Sequence, residues 1–274
     1  MRTAIFFCGQ LRTTDFIIEN LQKNILNDNT DVFFHFWKYE KDKIYIDDNI
    51  ENQNKLALES DQSTEIKEKD TKPTALVACF NYYQENFDYY LNSLIEKLKP
   101  KKYKIEEQII FKPNKDFNSH ERNYYQRTKS FIHSKLQALY LIKEYEEANN
   151  FKYDNVLMCR TNLNIVKELN FNNYKINNEI YGYGNNDYII DYLYLSNTNT
   201  LLKIFEHAYN THDSIFADKE SPYRDIPEKN LARCCNDLNI NIIHLDLSDY
   251  LYGFRYGVIY SWDYHKYAPK NITS

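Results

Sequence analysis

Glycine is scarce in this chain, with five residues in 274. None of them forms a GxGxxG or a Gly-rich phosphate loop, which argues against a dinucleotide oxidoreductase and a P-loop nucleotidase. HExxH and GxSxG are missing too, and with them the ordinary zinc protease and nucleophile-elbow hydrolase. Cysteine is sparse and odd in number: five residues, at positions 8, 79, 159, 234 and 235. No two of them have the spacing of a zinc knuckle or redox motif. Cys8, Cys79 and Cys159 sit in apolar, strand-like runs, where a free thiol packs as a small hydrophobe, so the expectation is reduced cysteines in a cytoplasmic protein. No apolar run approaches the ~18 residues of a membrane span. The roughly five apolar residues before Gly9 are fewer than the ~7 to 15 of a secretory leader. Any membrane contact is therefore expected to be peripheral. Basic charge is short as well: 34 Lys and Arg against 39 Asp and Glu give a net charge of -5. That is the wrong balance for a general nucleic-acid binder, and "KLKPKKYK" at 97–104 reads as a solvated, Lys-rich helix end.

Tyrosine is abundant, at 26 residues, but Tyr is also a common half-buried strand residue, so its number carries no argument for sugar stacking. The length suits one large α/β domain with a core that needs no staples. "TAIFFC" at 3–8 is a short apolar run closed by Gly9, the pattern of a buried strand and turn. Helical spacing of Phe16, Ile17, Leu21 and Ile25 follows within 13–26, then a second strand, "DVFFHFW", at 31–37. Strand, helix, strand is a βαβ unit with parallel strands. About residues 38–73 the chain turns charged and Asn/Gln-rich, which predicts a surface insert. "TALVACF" at 74–80 fits a strand or a helix start, and the spacing of Leu91, Leu94, Ile95 and Leu98 predicts a helix stopped by Pro100. "KYKIEEQIIF" at 102–111 reads as extended.

The clearest helix lies at 130–150, with Ile132, Leu136, Leu139, Ile142 and Tyr145 on one face and Lys and Glu on the other. It leads into the strand "NVLMC". Beyond come strand, turn, strand and helix at 179–209, a Pro-started helix and strand at 225–245, and a late strand or hairpin in "YLYGFRYGVIYSW".

Ligands of open parallel α/β sheets bind beyond the carboxyl ends of the strands. Gly9 to Arg12 and Arg160 to Asn162 therefore belong to one functional rim, and its two arginines point to an anion such as a diphosphate. Gly9 would leave backbone N–H groups open to a ligand beside them, although a glycine after a strand is commonest as a simple turn. Asp191 stands in an apolar strand, where an acid needs a partner or a task. Asp187 reads equally as a turn residue or a ligand contact, and Glu228 as a favourable first-turn helix acid. Asn162 stands at a strand end, where a metal-dependent nucleotide-sugar transferase usually presents a carboxylate, and its uncharged amide lowers the expected affinity for Mn or Mg. His35 and His244 read as satisfied core imidazoles, and His133 on the long helix has no role assigned by its spacing.

"CGQLRT" (8–13), "DVFFHFW" (31–37), "LKPKKYKIEEQ" (98–108), "YEEANNFKYDNVLMCRTNL" (145–163), "DYLYLSN" (191–197) and "PEKNL" (227–231) resemble, in order, the glycosyltransferase-like proteins of bacterial capsule and lipopolysaccharide loci and of large DNA viruses. The resemblance implies a single GT-A-type domain over 1–274, with a Rossmann-type, mixed, mostly parallel sheet. Only the charged insert and the C-terminal tail fall outside it. It implies transfer of a sugar from a nucleoside-diphosphate sugar to a saccharide acceptor of a surface glycan. Gly9, Gln10, Arg12, Arg160 and Asn162 would then bind the nucleotide diphosphate, and Asp191, with Asp187 and Glu228, would face the sugar or acceptor. The alternatives are another nucleotide-activated group transferase and a non-catalytic nucleotide- or glycan-binding module.

Overall fold

A computed structural model of the protein describes residues 1–11, 18–38, 86–113, 117–160, 163–165, 167–174, 176–185, 187–224, 226–245, 251–255 and 258–260. Its strands are β1 (Thr3–Gln10), β2 (Thr30–Lys38), β3 (Lys102–Glu107), β4 (Asn155–Cys159), β5 (Leu163–Ile165), β6 (Glu179–Asn185), β7 (Tyr188–Ser196), β8 (Asn241–His244), β9 (Leu251–Arg255) and β10 (Val258–Tyr260). Its helices are α1 (Ile18–Asn24), α2 (Phe87–Leu98), α3 (Ser119–Ala148), α4 (Thr198–Ala217) and α5 (Pro227–Asp237).

Seven strands form one sheet in the order β3-β2-β1-β4-β7-β6-β8. β3, β2, β1 and β4 are mutually parallel, β7 is antiparallel to β4 and β6, and β8 is parallel to β6, so β7 alone runs against the rest. This is the expected α/β, Rossmann-type, mixed and mostly parallel sheet flanked by helices. β10, β9 and β5 form a second, small antiparallel sheet. Of the late strand or hairpin expected, the hairpin is found; its pairing with the three-residue β5 was not foreseen, because so short a segment has no period to read.

Alternation along the strands divides the core. Ile5, Phe7, Phe34, Phe36, Leu157 and Leu195 face α1 and α2. Ala4, Phe6, Phe33, Val156, Met158 and Tyr194 face α3, α4 and α5. α2 ends where expected: Lys99 takes a left-handed conformation at φ 45° ahead of Pro100 and returns its N–H to Ile95, a common helix stop.

α3 starts eleven residues before the expected Ser130, at Ser119. Asn118 accepts from the Glu121 N–H while Glu121 accepts from the Asn118 N–H, a capping box strong enough to launch a polar first half that has no apolar stripe. The expectation that the helix turns its Lys and Glu to solvent is corrected in part: Lys135 and Glu146 are buried, as is Lys129 in the added first half. Glu146 accepts from the Tyr153 N–H at 2.9 Å, Thr198 Oγ1 at 2.8 Å and Lys152 Nζ at 2.9 Å. It thereby fixes the end of α3 to the start of β4 and of α4.

The four described cysteines, Cys8, Cys159, Cys234 and Cys235, are free thiols. "TALVACF", Cys79, most of the charged insert, Arg12, Asn162 and the side chains of the late hairpin lie outside what the structure describes. Among the described residues no helix is long and apolar enough to cross a membrane.

Candidate functional site

The carboxyl ends of β1 and β4 open onto the same rim, and the reversed β7 brings its amino-terminal half there. Arg160 follows β4 directly. Its backbone N–H is held by the Tyr192 carbonyl, and its Nη1 donates to Asp191 Oδ1 at 3.1 Å. Asp191, the acid read from sequence as needing a partner, has one. Glu228 occupies the first turn of α5, which packs on β7. Burial, then the charge of Asp191, raises its pKa above the ordinary carboxylate value. Three of the expected site residues, Arg160, Asp191 and Glu228, are thus brought together. Gly9, near the end of β1, has φ +101°, a conformation only glycine adopts without strain, and Gln10 ends the strand. Asp187 is exposed in the turn between β6 and β7, directly ahead of the first residue of β7, as its turn-like context allowed.

Two groups that sequence reasoning missed complete the site. Lys135 of α3 is 3% exposed, and its ammonium lies 3.2 Å from the centroid of the Phe131 ring. Among the described residues it makes no hydrogen bond and no ion pair, and its Nζ is not one of the unpartnered side-chain atoms sealed from solvent. Burial pulls its pKa below the ordinary lysine value, partly countered by Cys8, Asp191 and Glu228. The hydroxyl of Tyr194, in β7, is fully buried and has no hydrogen-bond partner among the described residues. Burial, then Asp191 and Glu228, push its pKa far up. A signal for Lys135 was present: with Ile132, Leu139 and Ile142 it falls at i, i+3, i+7 and i+10, inside the apolar stripe.

A second polar cluster sits where β2 and β3 meet α3. Lys102, Lys104 and Glu106 alternate toward the helix and meet Glu144, Gln137 and His133 in turn. Glu106 Oε2 receives His35 Nε2 at 2.9 Å and His133 Nε2 at 3.1 Å. His35, fully buried, completes its ring with Ser134 Oγ at 2.7 Å from Nδ1. That satisfies it as expected, although its partners were not foreseen. Burial lowers His35 to about 4. Glu106 falls to about 2: its burial is outweighed by hydrogen bonds from Lys104, His35 and His133.

The rim therefore carries an ammonium and a guanidinium, two carboxylates, and a phenol with no hydrogen-bond partner among the described residues. Such a set can hold an anion and move a proton. No family model matches the chain, and no curated protein matches it.

Proposed function

We propose that the chain transfers a sugar from a nucleoside-diphosphate sugar to a saccharide acceptor of a surface glycan. The observation that carries this reading is Lys135, a lysine of a buried position with no hydrogen bond or ion pair among the described residues, beside Arg160 at the carboxyl rim of parallel strands. A buried, unpaired cation is costly, and an arriving anion removes the cost. The ordered motifs "CGQLRT", "DVFFHFW" and "YDNVLMCRTNL" and the sheet with its single reversed strand also support it.

In this reading the diphosphate lies across Lys135 and Arg160. The bond from the anomeric carbon to the phosphate oxygen breaks with its electron pair going to the diphosphate, whose charge the two cations offset. The acceptor hydroxyl bonds to the anomeric carbon and gives its proton to a carboxylate. Glu228 is the better base because its pKa is raised, whereas Asp191 is held by Arg160. The position at which the resemblance implies a divalent metal, Asn162, lies outside the described residues, and Asp191 is already ion-paired; no step is assigned to a metal.

Saturation-transfer NMR and thermal shift against a panel of nucleoside diphosphates and their sugars test the reading. Binding that Lys135→Met and Arg160→Ala both weaken supports it, and no binding by any member of the panel rejects it. The closed Arg160–Asp191 pair favours a second reading, a non-catalytic nucleotide- or glycan-binding module. Release of nucleoside diphosphate in the presence of acceptor would exclude that alternative.

A further inference from the structure

We propose that His35, Glu106 and His133 form a binding site for a first-row transition metal, with Zn2+ as the best fit. One ligand atom from each of the three residues lies within 4.8 Å of the others, and both imidazoles already aim Nε2 at the same Glu106 oxygen. Two imidazoles and one carboxylate are a zinc donor set, with distances near 2.0 to 2.2 Å and a fourth position for water. Ligand atoms in such a tetrahedron lie about 3.3 Å apart; the two separations from Glu106 Oε2, 2.9 and 3.1 Å, are within tenths of an ångström of that, and the two imidazole nitrogens lie within 4.8 Å of each other.

The surroundings favour this over a plain hydrogen-bond network. His35 is presented by Ser134, which can accept from Nδ1–H when Nε2 is bound to metal and can turn its own hydroxyl toward the His35 carbonyl, 3.4 Å away. A partner of this kind on the second ring nitrogen fixes the ligating tautomer. His133 is held by Trp37, stacked at 5.4 Å and 25°, and by Phe111 at 5.6 Å. These rings wall the site, while His133 and Glu106 keep side-chain exposures of 14% and 19%, which leaves an entry path for the ion and a water. Among the described residues the opposing group is Lys104, ion-paired with Glu106 Oε1. Its Nζ also donates to Gln137 Oε1 at 2.8 Å, so it can withdraw from Glu106 and keep an acceptor. The site is separate from the rim cations and does not depend on the transferase reading.

The experiment uses full-length protein without a polyhistidine tag, stripped with chelator and titrated with Zn2+ in equilibrium dialysis and with Co2+ in visible absorption. One equivalent of metal and the intense d–d bands of tetrahedral Co2+ are expected. His133→Ala, at the more exposed of the two imidazoles, should weaken binding by at least about a hundredfold, and Ser134→Ala by about tenfold, as loss of an outer-shell partner does. Lys104→Gln should strengthen binding several-fold, an effect that a merely structural ion-pair network would not produce. Circular dichroism melts establish that each variant is folded, and Glu106→Gln, which preserves shape, replaces any variant that is not. Binding of less than one equivalent, or affinity unchanged by both His133→Ala and Glu106→Gln, overturns the proposal.

Discussion

Tyr194→Phe removes one oxygen atom from a site where the structure shows it doing no work for the fold. The ring is packed in the core beside Met158, its partner across the β4–β7 ladder, and 6.3 Å from the Phe205 ring. Phenylalanine keeps all of that packing. The hydroxyl has no hydrogen-bond partner among the described residues, and a buried polar group left unpaired costs about 1 to 3 kcal/mol. Allowing for relaxation, Tyr194→Phe should raise stability by about 1 kcal/mol, or roughly 2 to 4 °C in melting temperature for a chain of this size. Urea unfolding followed by circular dichroism measures the change, and the midpoint should rise with an unchanged slope, so that the gain is one of stability and not of denatured-state compactness. If the hydroxyl is kept for a ligand, the same variant should bind nucleoside diphosphate or its sugar up to about tenfold more weakly, the value of one neutral hydrogen bond. A midpoint that falls or stays put would show that the hydroxyl is satisfied in solution, and the case for an unfilled site at the rim would lose one of its two supports.

Lys135→Met should likewise raise the urea midpoint, by relieving a buried unpaired ammonium, while weakening diphosphate binding by roughly 1.5 to 3 kcal/mol in calorimetry; a less stable variant would mean the ammonium has a structural partner. Glu146→Ala strands the Tyr153 N–H and the Thr198 hydroxyl and should destabilise by about 3 kcal/mol in the same unfolding assay, with an effect below about 1 kcal/mol contradicting the anchor. His212, packed against Tyr125 and facing Lys129 and Asp213, is lowered to about 4 by burial. Because the unfolded chain takes up this proton near pH 6.5 and the folded one only near 4, stability should be unaffected above about pH 6.5 and fall by about 2.5 kcal/mol by pH 4.5. A His212→Asn variant whose stability falls just as steeply over that window would refute the assignment.

The frame of the fold is legible in the sequence because β1, β2 and β4 are apolar runs bounded by polar residues, and α2, α4 and α5 carry clear stripes or a proline start. Arg160 and Asp191 are legible for a related reason: charge at a strand end or inside an apolar strand has to be answered by something, whereas Glu228 reads from sequence first as a helix-start acid. The His35, Glu106 and His133 cluster is not, since its members are 71 and 27 residues apart and only the parallel pairing of β2 with β3, under one helix, makes them neighbours. Lys135 was hidden by the habit of assigning helical lysines to solvent, although its place in the stripe gave it away. The first half of α3 escaped detection because its helix depends on a cap and on tertiary packing, neither of which has a period.

His133, Ser134 and Lys135 are consecutive, yet each helical residue turns by about 100°, so the three deliver their side chains to β3, to β2 and to the rim beside β1 and β4. Lys135 and the anchor Glu146 are separated by eleven residues, roughly three whole turns, which is why both face inward. α3 is thus a rotary index: the anchor sets the zero, and the angular positions of the three polar groups follow from counting residues. Deleting or inserting a single residue between 135 and 146 would swing all three by about 100° relative to the anchor, exchanging what each one meets while leaving the helix itself intact. Variation in length among chains of this type belongs outside that span, whereas substitutions on its solvent side cost little.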